Sequence, residues 1–242
     1  PNHVYWLQAN GGQFNNPDNW SVEPSDGDTL VFSLLGTTRY LVELSNAVDA
    51  RLKFIYDKII LVSNDEFNET VRSIDIASEA TVEAASLIIG GGLLNIEEDL
   101  RIGSDEQDMA GSLYLAVNGR VNCGNLIQSA NGQMGYGINT LTDENNWVIE
   151  SGNIELAGSF RVEIIADLAN QLSAGDVFHF IRSSSAPPPE AQRHDVMVLP
   201  GLPNGLAMVP RYNESVNTSG WEMLLDIVDL GGLLSFDDPN SI

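Results

Sequence analysis

The chain has 242 residues, with 34 Asp and Glu against 11 Lys and Arg, a formal net charge of -23. So acidic a surface repels phosphate backbones and anionic lipid heads, which argues against nucleic acid and membrane-surface partners and leaves cations as the natural ones; more plainly, acidity keeps a long β surface soluble. No stretch has the roughly 18 consecutive apolar residues of a membrane span, and the single Cys123 excludes an intrachain disulfide.

The chain begins at Pro1 with no methionine and no basic-then-apolar leader, which reads as a mature or trimmed product. Residues 1–36 read as an N-terminal cap with the first strands. Val4-Tyr5-Trp6 is a short strand, Asn10-Gly11-Gly12 a turn, and Pro24-Ser25-Asp26-Gly27-Asp28 turns the chain into the strand Thr29 to Phe32. Trp6, Phe14, Trp20 and Phe32 are dense for a chain with 7% aromatics. Bulky rings suit the covering of a solenoid's open end, and Trp6 and Trp20 are also the candidate glycan-binding residues, as a platform for sugar rings.

Residues 37–165 read as solenoid coils. Strands are expected at Arg39 to Leu44, Leu52 to Ile55 and Lys58 to Val62, with Lys53 and Lys58 facing solvent. From residue 74 to 128, three-residue units recur between Gly, Asn and acidic breaks: Ile74-Asp75-Ile76, Val82-Glu83-Ala84, Leu87-Ile88-Ile89, Leu94-Asn95-Ile96, Leu100-Arg101-Ile102, Leu113-Tyr114-Leu115 and Val121-Asn122-Cys123. Apolar or small residues at first and third positions are the mark of strands with one buried side. The units are too short for a sandwich and too close for crossover helices, but they suit stacked coils. The phrases Gly92-Leu93-Leu94-Asn95-Ile96 and Gly111-Ser112-Leu113-Tyr114-Leu115 suggest that a coil repeats at their spacing. Cys123, at an inward position, reads as core. A helix over Ser78 to Leu87 is the competing local reading, and residues 130–146 read as a looser loop.

Residues 166–242 change texture. Gly175-Asp176 and the strand Val177 to Ile181 echo the Gly27-Asp28 turn and its strand, and Val196 to Leu199, Leu206 to Val209 and Trp221 to Val228 read as antiparallel strands closing the far end. The expected fold is therefore all-β: a right-handed parallel β-helix, or β-solenoid, with β-hairpin caps.

Three groups of residues carry a resemblance: Trp6, Gly12, Phe14, Asn19-Trp20, Pro24 and Gly27-Asp28; the phrases from Gly92 to Leu115; and Gly175 to Phe178 with Leu199-Pro200-Gly201-Leu202-Pro203. Together they resemble the β-helical regions of secreted bacterial surface proteins of the autotransporter-passenger-like and PEP-CTERM-anchored kind. The resemblance implies export, a secreted or cell-surface location and a parallel β-helix. It implies no single activity.

The chemistry in the sequence is sparse. His3, His179 and His194 lack zinc-site spacing, and no nucleophile elbow, P-loop or dinucleotide fingerprint appears, so no cofactor is expected. Calcium takes carboxylate oxygens from flexible turns; Asp105, Glu106 and Asp108 are the candidate metal residues for a structural ion, with Asp26 and Asp28 second. The function expected is a non-catalytic surface, adhesion or scaffold module contacting a polysaccharide or another surface protein. A polysaccharide lyase or hydrolase on the same fold is the alternative, using Arg101, Arg120 and Arg161 with nearby carboxylates, and a fibrous or phage-type assembly unit is the third. Nothing in the pattern sets an oligomeric state.

Overall fold

A computed structural model describes residues 2–34, 39–44, 48–55, 58–63, 69–77, 85–89, 92–105, 109–116, 119–139, 147–185, 196–199, 202–203, 205–214 and 220–231. In chain order the strands are β1 (His3–Tyr5), β2 (Gly12–Gln13), β3 (Thr29–Phe32), β4 (Tyr40–Leu44), β5 (Arg51–Phe54), β6 (Lys58–Ser63), β7 (Glu69–Val71), β8 (Ser73–Ile76), β9 (Ala85–Ile89) and β10 (Leu93–Ile102). They continue with β11 (Gly111–Leu115), β12 (Arg120–Gln128), β13 (Gly132–Ile138), β14 (Ile149–Glu155), β15 (Ser159–Ile164), β16 (Val177–Ser183), β17 (Val196–Leu199), β18 (Leu206–Glu214) and β19 (Trp221–Asp229). A single helical turn, Ala166–Ala169, precedes β16.

The chain lays strands alternately in an eleven-stranded sheet, ordered β1-β3-β5-β8-β10-β12-β14-β16-β19-β18 with β7 beside β10, and in an eight-stranded sheet, β17-β15-β13-β11-β9-β6-β4-β2. Neighbours are parallel up to the last pairs. This is a β-solenoid, as the alternating units predict. Because pairing is in register, an inward residue in one coil meets an inward residue in the next. One row is Leu30, Leu52, Ile74, Leu100, Leu126 and Ile154, all buried. Each such side chain contributes about 1.5–3 kcal/mol by leaving water.

The coil step differs from the one the glycine phrases suggest. Gly92 and Gly111 open β10 and β11, which lie in different sheets and do not pair. The true neighbours are Asn125 on Asp99, 26 positions apart, and Asn153 on Asn125, 28 apart. The phrases look alike because both sheets are built from the same corner-then-alternation grammar. Three further expectations change. Residues 132–138 form β13 in place of a loose loop, and β17 runs parallel to β15, so the antiparallel closure consists of β16, β19 and β18. Leu87 lies in β9; the rest of the helix expected over Ser78 to Leu87, and the unit Val82 to Ala84, fall largely outside the described residues.

The long strand β10 bends at the exposed pair Glu97-Glu98, where its register against β12 shifts between Ile96 and Asp99. Gly124 sits over this bend, and a Cβ there would lie 2.6 and 2.7 Å from the carbonyl oxygens of Glu97 and Glu98. Beside it runs an amide ladder: Asn125 donates to Asp99 (2.7 Å) and Asn153 donates to Asn125 (2.8 Å), while Asn122 donates to Asn95 on the other side of the bend (3.3 Å). Stacked amides of this kind satisfy a corner where the backbone ladder breaks.

At the N-terminal end the aromatics close the first coil. Trp6 and Trp20 meet edge to face at 5.0 Å, Phe14 packs on Trp20 at 5.3 Å, and Phe32 stacks on Phe54 at 4.7 Å. The predicted echo between Gly27-Asp28 and Gly175-Asp176 is one turn used twice. Asp28 and Asp176 each accept through a carboxylate oxygen from the N–H three residues earlier, Ser25 at 3.0 Å and Ser173 at 2.8 Å, and both glycines have positive φ.

Gly124→Ala is expected to destabilise by about 1–3 kcal/mol through the clash at the bend. Asn125→Ala should cost a similar amount, about 1–3 kcal/mol, by leaving Asp99 and Asn153 short of a partner. Both would appear as lower urea midpoints with an unchanged slope.

Candidate functional site

Each sheet carries a groove on its outer surface. The first, about 560 Å³, lies on the eleven-stranded sheet and includes Lys53, Asp75, Arg101, Asp105, Ile127 and Glu155. Its floor is an outward row: Lys53 pairs in register with Asp75, Asp75 with Arg101, Arg101 with Ile127 and Ile127 with Glu155. Strand spacing sets these side chains roughly 4.8 Å apart, so Asp75 is held between two cations. Burial pushes its carboxyl above the usual range, and Lys53 and Arg101 only partly oppose this. Arg101 is also paired with Asp99 at 2.6 Å, and Arg51 with Glu98 at 3.2 Å. The groove is largely a lattice of charges that answer one another.

The second groove, about 510 Å³, lies on the eight-stranded sheet. Two outward rows form it. One is Ser86, Ser112, Gln133 and Ser159; the other is Ile88, Tyr114, Gly135, Arg161 and Met197. The Tyr114 ring lies across the next coil because Gly135 has no side chain: a Cβ there would come within 2.6 Å of the ring's Cδ2. The hydroxyl reaches one coil further and donates to Glu163 Oε2 at 2.9 Å. Arg161 pairs with the other oxygen of the same carboxylate. Burial first, and Glu163 second, push the Tyr114 hydroxyl up to about 12, so it remains a proton donor. Met197 at one end is 61% exposed, and Arg39 borders the other. The result is a rigid aromatic surface beside a line of hydroxyl and amide groups.

Of the residues expected from sequence to carry a site, Arg101 and Asp105 line the first groove and Arg161 the second, while the tryptophans fall elsewhere. Trp6 and Trp20 are 1% and 3% exposed, and their indole N–H groups donate to Gln8 O and Phe14 O, both at 2.7 Å. Neither ring offers a face to a sugar; the glycan assignment at these two residues is corrected, because closing the open coil consumes them. Asp105 accepts from the Ala130 N–H at 2.8 Å, tying one corner to the next; Glu106 and Asp108 lie outside the described residues. Asp26 and Asp28 likewise accept from backbone N–H groups, and those of Asn2 and Ser25 hold the Asp28 carboxyl below the usual range. Among the described residues no three His, Cys, Asp or Glu are grouped to hold a metal ion. Arg101, Arg120 and Arg161 do not line one groove: Arg120 pairs with Leu93 beyond the bend from Arg101, and Arg161 is on the other sheet. Cys123 is buried, and burial pushes its thiol up to about 11, which suits core. No helix among the described residues is long and apolar enough to cross a membrane.

Comparison with protein-family models, with curated proteins and with solved structures finds no match.

Because the Asp75 carboxyl is raised in the folded state, that state binds a proton more readily than the unfolded chain, and Asp75's contribution is lost as pH rises through the raised value. Asp75→Asn should therefore melt higher than the parent at about pH 7, with the difference shrinking below about pH 4, where both states are protonated. Thermal melts across that range check it; a lower melting temperature at about pH 7 would mean that attraction to Lys53 and Arg101 outweighs burial.

Proposed function

We propose that the chain is an exported, non-catalytic β-solenoid module of a bacterial surface that holds glycans along the outer face of its eight-stranded sheet. The Tyr114 platform carries this reading. Its ring is fixed by Gly135 beneath and Glu163 at the hydroxyl, so it presents apolar surface without an ordering cost. A sugar needs an apolar plane for its C–H face and hydrogen-bonding groups for its hydroxyls. Ser86, Ser112, Gln133 and Ser159 supply the second at one-coil intervals. A rigid scaffold with regularly spaced outward rows suits an extended polymer better than a compact ligand. The resemblance of its residue phrases to those of secreted β-helical surface proteins supports the location.

A second reading, cleavage of a polysaccharide, is favoured by one observation: in the first groove a half-buried carboxylate, Asp75, sits between Lys53 and Arg101. A carboxylate with a raised pKa beside cations is a candidate acid or base.

A glycan array and a polysaccharide-degradation assay separate the two. On the first reading, binding without cleavage is expected, and Tyr114→Ala should weaken it about tenfold, the size of one lost aromatic contact. Gly135→Ala should do the same, with a melting temperature lowered by the equivalent of about 0.5–1.5 kcal/mol, because displacing the ring also breaks its hydrogen bond to Glu163. Trp20→Ala should instead lower the melting temperature, by the equivalent of about 3–5 kcal/mol. New reducing ends that disappear in Asp75→Asn would move the function to the first groove.

A further inference from the structure

The two grooves carry opposite charge balances. The first has Lys53 and Arg101 against Asp75, Asp105 and Glu155. Among the described residues, the second has Arg39 and Arg161 against Glu163, in a chain whose net charge is -23. In this groove both oxygens of the one carboxylate are already occupied, by Arg161 and by the Tyr114 hydroxyl. Arg39 forms none of the ion pairs found among the described residues. A net positive lining on so acidic a protein needs a reason, since a neutral sugar would bind the same platform without it.

We infer that the Tyr114 groove takes an anionic oligosaccharide, with Arg39 binding a carboxylate or sulfate at one end and Arg161 a second at the other. The inference rests on the glycan reading and narrows it. Strands β6, β9, β11 and β13 lie between Arg39, which adjoins β4, and Arg161 in β15, so the anions belong to different sugar units of one chain. Between them the Ser86, Ser112, Gln133 and Ser159 row meets uncharged hydroxyls. Arg161 spends one side of its guanidinium on Glu163 and keeps the remaining N–H groups for the ligand, half of its side chain being exposed. A guanidinium fork fits a carboxylate or a sulfate ester through two parallel hydrogen bonds. The acidic remainder of the surface repels the same polymer, which confines it to this groove.

The test is calorimetric titration of the whole chain with oligogalacturonate, with the same oligosaccharide after reduction of its carboxyl groups, and with a sulfated galactan oligosaccharide. Oligogalacturonate or the sulfated probe should bind at least about tenfold tighter than the reduced one, the contribution of a charge-assisted hydrogen bond, and the preference should fall with added salt. Whichever anion binds identifies the group. Arg39→Gln should lose the preference about tenfold while keeping the parent's melting temperature and its affinity for the reduced probe. Equal binding of charged and reduced probes, or no effect of Arg39→Gln, overturns the inference and leaves the glycan reading intact. Absence of binding by every probe, neutral ones included, overturns both.

Discussion

The structure depends on one requirement: each coil must return within backbone hydrogen-bonding distance of the last, with like positions above like. Parallel ladders impose a spacing of roughly 4.8 Å between strands, and in-register pairing turns every inward residue into a member of a column. Leu30 to Ile154 form such a column, and Phe32 on Phe54 another. The same requirement operates outside. Lys53, Asp75 and Arg101 meet because the coils stack, as do Tyr114, Gly135 and Arg161. Core and outer grooves are thus two sides of one periodicity, and a shift in coil register would dissolve both.

Where the ladder cannot be kept, the sequence supplies other donors and acceptors. At the bend of β10 the strand register breaks, and Asp99, Asn125 and Asn153 bridge the coils through side chains. At the entry turns Asp28 and Asp176 accept from Ser25 and Ser173 N–H. Nine of the 34 acidic residues are held in this way. Asp26, Asp28, Asp105 and Asp176 are fastened to backbone N–H groups, and Asp49, Asp99, Glu98, Glu163 and Asp226 to arginines. Asp26, Asp28 and Asp105, which looked like ion ligands in the sequence, are acceptors for backbone N–H groups.

How far the sequence could be read follows from the range of the interactions involved. Period-2 alternation is local, so most of the strands, the fold class, the aromatic closure at Trp6 and Trp20 and the paired Gly-Asp turns were legible, whereas the glycine-rich β13 read as a loop. Coil length was not, because corners absorb different numbers of residues and Gly92 and Gly111 open strands of different sheets. The better signal lay in Asn95 with Asn122, and Asp99 with Asn125 and Asn153, polar residues recurring at outward positions near the bend. The groove was hidden for a similar reason. Tyr114 and Gly135 are unremarkable in sequence, and only stacking places a missing Cβ beneath a ring. The tryptophans drew attention because rings are conspicuous, yet a solenoid end has the first claim on them.

The antiparallel closure by β16, β19 and β18 gives the two ends of the molecule different mechanical characters. Pulled from its termini, a stack of parallel coils comes apart one layer at a time, each layer held only by its neighbour. A layer as long as the Asp99 to Asn125 step, 26 positions, would release about 90 Å of extended chain. The antiparallel pair β18 and β19 must be peeled first on the C-terminal side, whereas the N-terminal side opens by extraction of its aromatic plug. A protein tethered at one end and loaded along its length would thus lengthen in discrete steps, dissipating force as a series of small ruptures instead of one.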